Sequence, residues 1–163
     1  MRFWIALPVV LLAAPVAWAA YDANGVPLGA PEKAIVSKFP SAFCRPLQWS
    51  SDAADRRCDD AKVLVGGVPG RITFYLKQDK VQAFDLRFES HDAERLVSFL
   101  KQRYGAPAAE TREAIEGKAG GALYKVQWHK GEEQAVLTAQ GDKRRGSIIV
   151  WRGNFEEEIY RIR

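Results

Sequence analysis

Hydrophobic and polar positions change period several times along this chain, and each change marks an element. The first is an unbroken apolar run from Phe3 to Val16, followed by Ala17-Trp18-Ala19. A membrane span needs about 20 apolar residues; this run is shorter, carries Pro8 and Pro15, and ends with small residues at the two positions a signal peptidase accommodates. The pattern predicts a secretory signal over residues 1–19 and a single domain over residues 20–163.

From Pro31, a good first helical residue, Ile35, Val36 and Phe39 recur at helical spacing until Pro40 stops the segment. The period then drops to two. After a β-branched run at Lys62 to Val65 and a turn over Gly66-Gly67-Val68-Pro69-Gly70, Ile72, Phe74 and Leu76 alternate with Arg71, Thr73, Tyr75 and Lys77. Beyond Asp79-Lys80, Phe84, Leu86 and Phe88 alternate with Ala83, Asp85, Arg87 and Glu89. Such runs predict consecutive antiparallel strands with one buried and one wet face.

Helical spacing returns at Ala93, Leu96, Val97, Leu100 and Tyr104, with Ser90 as the expected cap, Asp92 and Glu94 in the first turn, and Gly105 and Pro107 as the stop. Residues 108–121 read as a polar loop. Three more alternating runs follow: Ala122, Tyr124, Val126 and Trp128; Ala135, Leu137 and Ala139; and Ser147 to Trp151. The terminal segment, with Phe155, Ile159 and Ile162 after Asn154, fits a short helix or an edge strand. The order predicts an α+β fold, an antiparallel sheet of about five to six strands with helices packed on one face, compatible with a tandem α-β-β-β repeat.

Charge adds little to this picture. The formal net charge is +4, and removal of residues 1–19 takes away only Arg2, leaving +3. That is too small an excess to point to nucleic acid, and Lys143-Arg144-Arg145 reads as a solvated hairpin tip.

Export decides the reading of the only two cysteines, Cys44 and Cys58, which are expected to pair in an oxidising compartment. Their spacing is not that of a CxxC redox motif, and His91 and His129 are the only histidines available to complete a zinc site. The string Asp22-Ala23-Asn24-Gly25 starts like a calcium loop but lacks its later ligands, so it reads as a turn. Asp52, Asp55, Asp59 and Asp60 are interleaved with Arg56 and Arg57, which predicts local pairing. No metal or cofactor is expected.

No GxSxG elbow, HExxH helix or phosphate-binding glycine loop accompanies His91 or His129, so no catalytic residue is assigned. Interfaces between proteins favour Tyr, Trp and Arg at their centres. By that criterion the candidate binding residues are Trp49 inside the Cys44 to Cys58 loop, and Arg71, Tyr75, Asp85 and Arg87 on the polar side of two adjacent strands. Trp128 falls in the apolar register and is assigned to the core.

Two phrases, PLGAPEKAIV at 27–36 and LKQRYGAP at 100–107 followed by Trp128, resemble a class of small exported bacterial α+β proteins grouped with the β-lactamase-inhibitor protein and the small outer-membrane-assembly lipoproteins. The resemblance implies a non-enzymatic protein that binds another protein through a sheet face or loops. The lipidated cysteine of the assembly lipoproteins is missing, and no functional residue is carried over. The expectation is therefore a periplasmic or secreted protein, with no transmembrane segment in the mature chain. It would bind an envelope or extracellular protein through its sheet face and the Cys44 to Cys58 loop, as an inhibitor, immunity protein or assembly factor. The alternative is a small-molecule or lipid carrier with a pocket lined by Phe74, Phe84, Phe88 and Leu100.

Overall fold

A computed structural model describes residues 20–116 and 121–161. The signal assigned to residues 1–19, and Ile162 at the end of the terminal segment, lie outside the described residues. In chain order the elements are β1 (Asp22–Ala23), β2 (Val26–Pro27), α1 (Glu32–Lys38), β3 (Phe43–Pro46), β4 (Arg56–Val65), β5 (Val68–Lys77) and β6 (Lys80–Glu89). A 3-10 turn (Ser90–Asp92) then leads into α2 (Ala93–Tyr104), β7 (Ala109–Ala114), β8 (Ala122–Lys130), β9 (Glu133–Gln140), β10 (Arg145–Arg152) and α3 (Phe155–Glu158).

β1 and β2 form a small ribbon, and the other eight strands form one antiparallel sheet in the order β3-β4-β5-β6-β10-β9-β8-β7. Each half is a helix followed by a four-strand meander, and the last strands of the halves, β6 and β10, meet at the centre with Leu86 opposite Ile148. The expected sheet of five to six strands is thus short of the eight that form, and the repeating unit carries four strands rather than three. The two strands absent from the sequence reading are the sheet edges, β3 and β7. An edge strand buries little, so Phe43–Pro46 and Ala109–Ala114 have no fully buried residue and no alternation to betray them.

Two further boundaries differ. β4 begins at Arg56, which pairs with Leu76 of β5, and its first residues alternate half-buried Arg57 and Asp59 with the buried Cys58 and Asp60. The turn before β5 is only Gly66-Gly67, both at positive φ, and the Gly66 backbone lies so close to the Phe99 ring that no Cβ fits.

Ile35 of α1, Phe39 just after it, and Leu96, Val97 and Leu100 of α2 share one buried cluster with Ile72, Phe74, Leu86, Val126, Leu137 and Ile148 of the sheet. Val36, expected on the apolar side of α1, is instead solvent-exposed. Ser90 makes no capping bond; α2 is entered through the 3-10 turn and the Ser90 Oγ has no hydrogen-bond partner.

The helices are not confined to one face of the sheet. Tyr75, Ala83 and Trp151 are neighbours across β5, β6 and β10 and alternate with residues of the first core, so they emerge on the opposite side. There α3 (Phe155) and Ile159, with Ala53 and Ala54 from the disulfide loop, cover them as a second, smaller apolar cluster. The terminal segment is therefore helical over Phe155–Glu158, and it hides one end of a face that alternation alone would leave wet.

The disulfide forms between Cys44 and Cys58, which sit directly opposite each other on β3 and β4 with Cα atoms 3.9 Å apart. Closing a loop of this length contributes about 3 kcal/mol in the chain-entropy model, and it holds the edge strand in register. Glu32 reaches the bridge, but its carboxylate is held by both ends of the Arg56 fork at 2.7 and 3.1 Å. The Asp22 side chain accepts from the Gly25 amide at 2.7 Å, which closes the expected turn, and it also takes a two-bonded contact from Arg103.

Candidate protein-binding site

All five residues singled out in the sequence line one depression on the helix-poor face of the sheet. Its volume is about 450 Å³, and Trp49, Arg71, Tyr75, Asp85 and Arg87 are joined there by Arg57, Asp59, Thr73 and Tyr160. Strand register assembles it. Arg71 lies opposite Arg87, Thr73 opposite Asp85 and Tyr75 opposite Ala83, while β4 places Asp59 beside Thr73 and Arg57 beside Tyr75.

Trp49 and Tyr160 make the aromatic rim. The Trp49 indole N–H donates to the Ile159 carbonyl at 2.8 Å, and its ring stacks on Tyr160 with centroids 6.1 Å apart and planes inclined by 19°. Ser51 Oγ donates to the Glu158 carbonyl at 3.1 Å, a second tie between the disulfide loop and the C-terminal segment. Tyr160 remains 71 % exposed, and Phe43, on the same face at the sheet edge opposite Asp59, is 65 % exposed. Large apolar side chains left in water beside a concave surface are what hot-spot contacts are made from.

Tyr75 forms the floor instead of a projecting contact. It is 7 % exposed, its ring meets Phe155 at 5.3 Å, and the Arg57 guanidinium lies 5.8 Å from its centroid. Burial pushes its phenol up to about 12, with the neighbouring Tyr160 phenol adding to the effect, so it is neutral in the physiological range. The sequence placed Tyr75 on a wet face; α3 and the disulfide loop cover it.

The charges are arranged in pairs. Arg57 grips Asp59 with both arms of its fork, Thr73 Oγ1 donates to Asp59 Oδ1 at 2.7 Å, and Arg45 approaches the same carboxylate at 3.6 Å. Burial alone would raise the Asp59 pKa, but the bonds from Arg57 and Thr73, with the Arg57 and Arg45 charges, outweigh it and hold Asp59 below the usual range. Asp85 goes the other way. Its burial raises it despite Arg87 Nε at 3.2 Å, and its Oδ1 is buried without a hydrogen-bond partner.

Sequence reasoning missed Arg57, Asp59 and Tyr160. The first two were legible in principle, since they flank a cysteine committed to the core; Tyr160 carried no signal, because its position depends on where α3 docks.

The other candidate chemistries are not brought together in the same way. The His91 side chain is 78 % exposed and lies 3.5 Å from Asp92, while the adjacent Ser90 hydroxyl is hydrogen-bonded to nothing, so no base-to-nucleophile bond forms there. His129 is exposed in an open hollow with Glu132, Glu133 and Arg152 and no hydroxyl. Phe74, Phe84, Phe88 and Leu100, the expected lining of a lipid pocket, are at most 3 % exposed and pack with Phe39 as filled core. No family model, curated protein or solved structure matches the chain.

Proposed function

We propose that this is an exported, non-enzymatic protein that binds another protein through the depression on its helix-poor sheet face, with Trp49 and Tyr160 at the rim and Arg71 and Arg87 at the opposite end. One observation carries the reading. Five residues chosen for interface chemistry, drawn from three separate stretches of sequence, line a single depression whose rim holds an aromatic stack half in water. The exposed Tyr160 lines the depression and the exposed Phe43 lies at the sheet edge beside it, so a partner seated there would cover both.

Export is supported by the Cys44–Cys58 bridge, which persists in oxidising compartments, together with the leader pattern of the sequence. Among the described residues no helix is long and apolar enough to cross a membrane. An inhibitor, an immunity protein and an assembly factor share this kind of surface. The carrier alternative loses its support because the residues that would line its pocket are packed against each other.

Affinity for the partner is the test. Replacing Tyr160 and Arg87 by alanine removes exposed side chains that carry little of the fold, so binding should fall by at least tenfold while the melting temperature hardly changes. Unchanged affinity would remove the proposed face.

A further inference from the structure

We propose that Arg71 and Arg87, backed by Arg145, form a carboxylate clamp that takes an acidic segment of the partner; this rests on the reading of the open face as a protein-binding surface. The antiparallel register sets Arg71 directly opposite Arg87 on β5 and β6. Like charges in directly opposed positions destabilise a sheet, so such a pair calls for an anion between its members.

The same face contains an internal comparison. Arg45 lies directly opposite Arg57 on β3 and β4, and that pair is bridged by Asp59, which Arg57 grips with both arms and Arg45 approaches at 3.6 Å. The Arg71 and Arg87 pair has no such bridge. Asp85 engages only Arg87, at 3.2 Å, and Arg71 has no carboxylate partner among the described residues.

Arg145 joins Arg71 and Arg87 around an adjoining hollow of about 300 Å³. Glu89, which lies opposite Arg145 in the β6–β10 register, has its carboxylate bonded to Arg144 at 3.0 Å. With Arg57 and Asp59 paired to each other, four guanidiniums, Arg71, Arg87, Arg144 and Arg145, stand against three carboxylates, Asp85, Glu89 and the buried Asp60 that lines the same depression, which leaves a single positive charge in excess.

The geometry favours a protein carboxylate over a phosphate. β5 and β6 are internal strands of the sheet, and the β4–β5 register is irregular between Asp60 and Val63, beside Arg71. Guanidinium forks match the paired oxygens of a carboxylate and of a phosphate alike, so the preference rests on what adjoins them. The aromatic rim at the other end of the depression supplies apolar contact for residues flanking the acidic group.

The test titrates the mature protein at low salt with a capped hexaglutamate peptide, with inorganic phosphate, and with vesicles containing phosphatidylglycerol. The readouts are calorimetry and the arginine Nε–H resonances. Hexaglutamate should shift the Arg71 and Arg87 signals and leave Arg45 and Arg57 in place. Arg71→Ala should weaken its binding at least tenfold, Arg71→Lys should recover only part of that, and Arg45→Ala should change it less than twofold. An unmoved Arg71 resonance, equal binding by Arg71→Ala, or phosphate or vesicles binding as well as hexaglutamate would each overturn the clamp. The two readings fail separately: a protein partner bound equally well by wild type and Arg71→Ala overturns the clamp and leaves the binding face standing, whereas a clamp that takes hexaglutamate on a protein whose partner ignores Tyr160 and Phe43 overturns the face alone.

Discussion

The indole of Trp49, inside the disulfide loop, stacks on the phenol of Tyr160 near the C-terminus at 6.1 Å and bonds the carbonyl of the preceding residue, Ile159, at 2.8 Å. The two residues serve differently. Trp49→Ala removes the stack, the hydrogen bond and part of the second apolar cluster, and should lower stability by about 2–3 kcal/mol in urea unfolding. Tyr160→Ala removes a mostly exposed ring and should cost less than about 1 kcal/mol while weakening partner binding as much as Trp49→Ala does.

Replacing Cys44 and Cys58 by serine should lower the unfolding free energy by about 3 kcal/mol, and reduction of the wild-type protein should match it. Because the bridge ties an edge strand that is otherwise thinly buried, hydrogen exchange should show Phe43–Pro46 losing protection before β5 or β6 does. Equal loss across the sheet would contradict this placement.

Tyr75 is a floor residue, so Tyr75→Phe should be tolerated to within about 1 kcal/mol, whereas Tyr75→Ala should cost about 3–4 kcal/mol by opening a cavity against Phe155. Its phenol also sets a pH dependence. The folded value is raised from 10.0 to about 12, so the folded state holds the proton more tightly than the unfolded chain. Its stabilising contribution is complete below about pH 10 and is lost as the pH rises through about 12. Tyr75→Phe should flatten that part of the alkaline stability curve, which spectrophotometric titration combined with urea unfolding measures directly.

Asp85 carries the opposite kind of cost. Its raised pKa means that ionisation works against the fold, so stability is greatest with the carboxyl protonated and declines as the pH rises through its folded value. At pH 7 the buried Oδ1 lacks a partner. Asp85→Asn should therefore be neutral or stabilising by up to about 1 kcal/mol at pH 7, and lose that advantage near pH 4. A large loss at pH 7 would mean that the Arg87 bond outweighs desolvation.

Much of the interior was legible in the chain. Ile72, Phe74, Leu86, Val126 and Leu137 alternate because one face of their strands is in the core, and Ala93, Leu96, Val97 and Leu100 recur at helical spacing for the same reason. What could not be read is what burial does not encode locally. β7 (AETREA) and β3 (FCRP) are edges, stabilised by pairing on one side only. Tyr75 and Trp151 have the spacing of surface residues, and only the docking of α3 and the 53–54 segment makes them core. The candidate site was legible to the extent that strand register sets it: Arg71, Asp85 and Arg87 followed from alternation, while Tyr160 depends on a long-range contact.

The most direct measurement is site-specific photo-crosslinking in the cell envelope, with the photoreactive residue placed at Tyr160, at Phe43 or at Val36 in turn. Tyr160 and Phe43 flank the depression, and Val36, at 47 % exposure, is an exposed apolar position on α1, away from it. The same protein adduct from Tyr160 and Phe43, absent from Val36 and lost on adding Arg87→Ala, is the predicted result. Adducts from Val36 alone, or none from Tyr160 and Phe43, would contradict the assignment of this face as the binding surface.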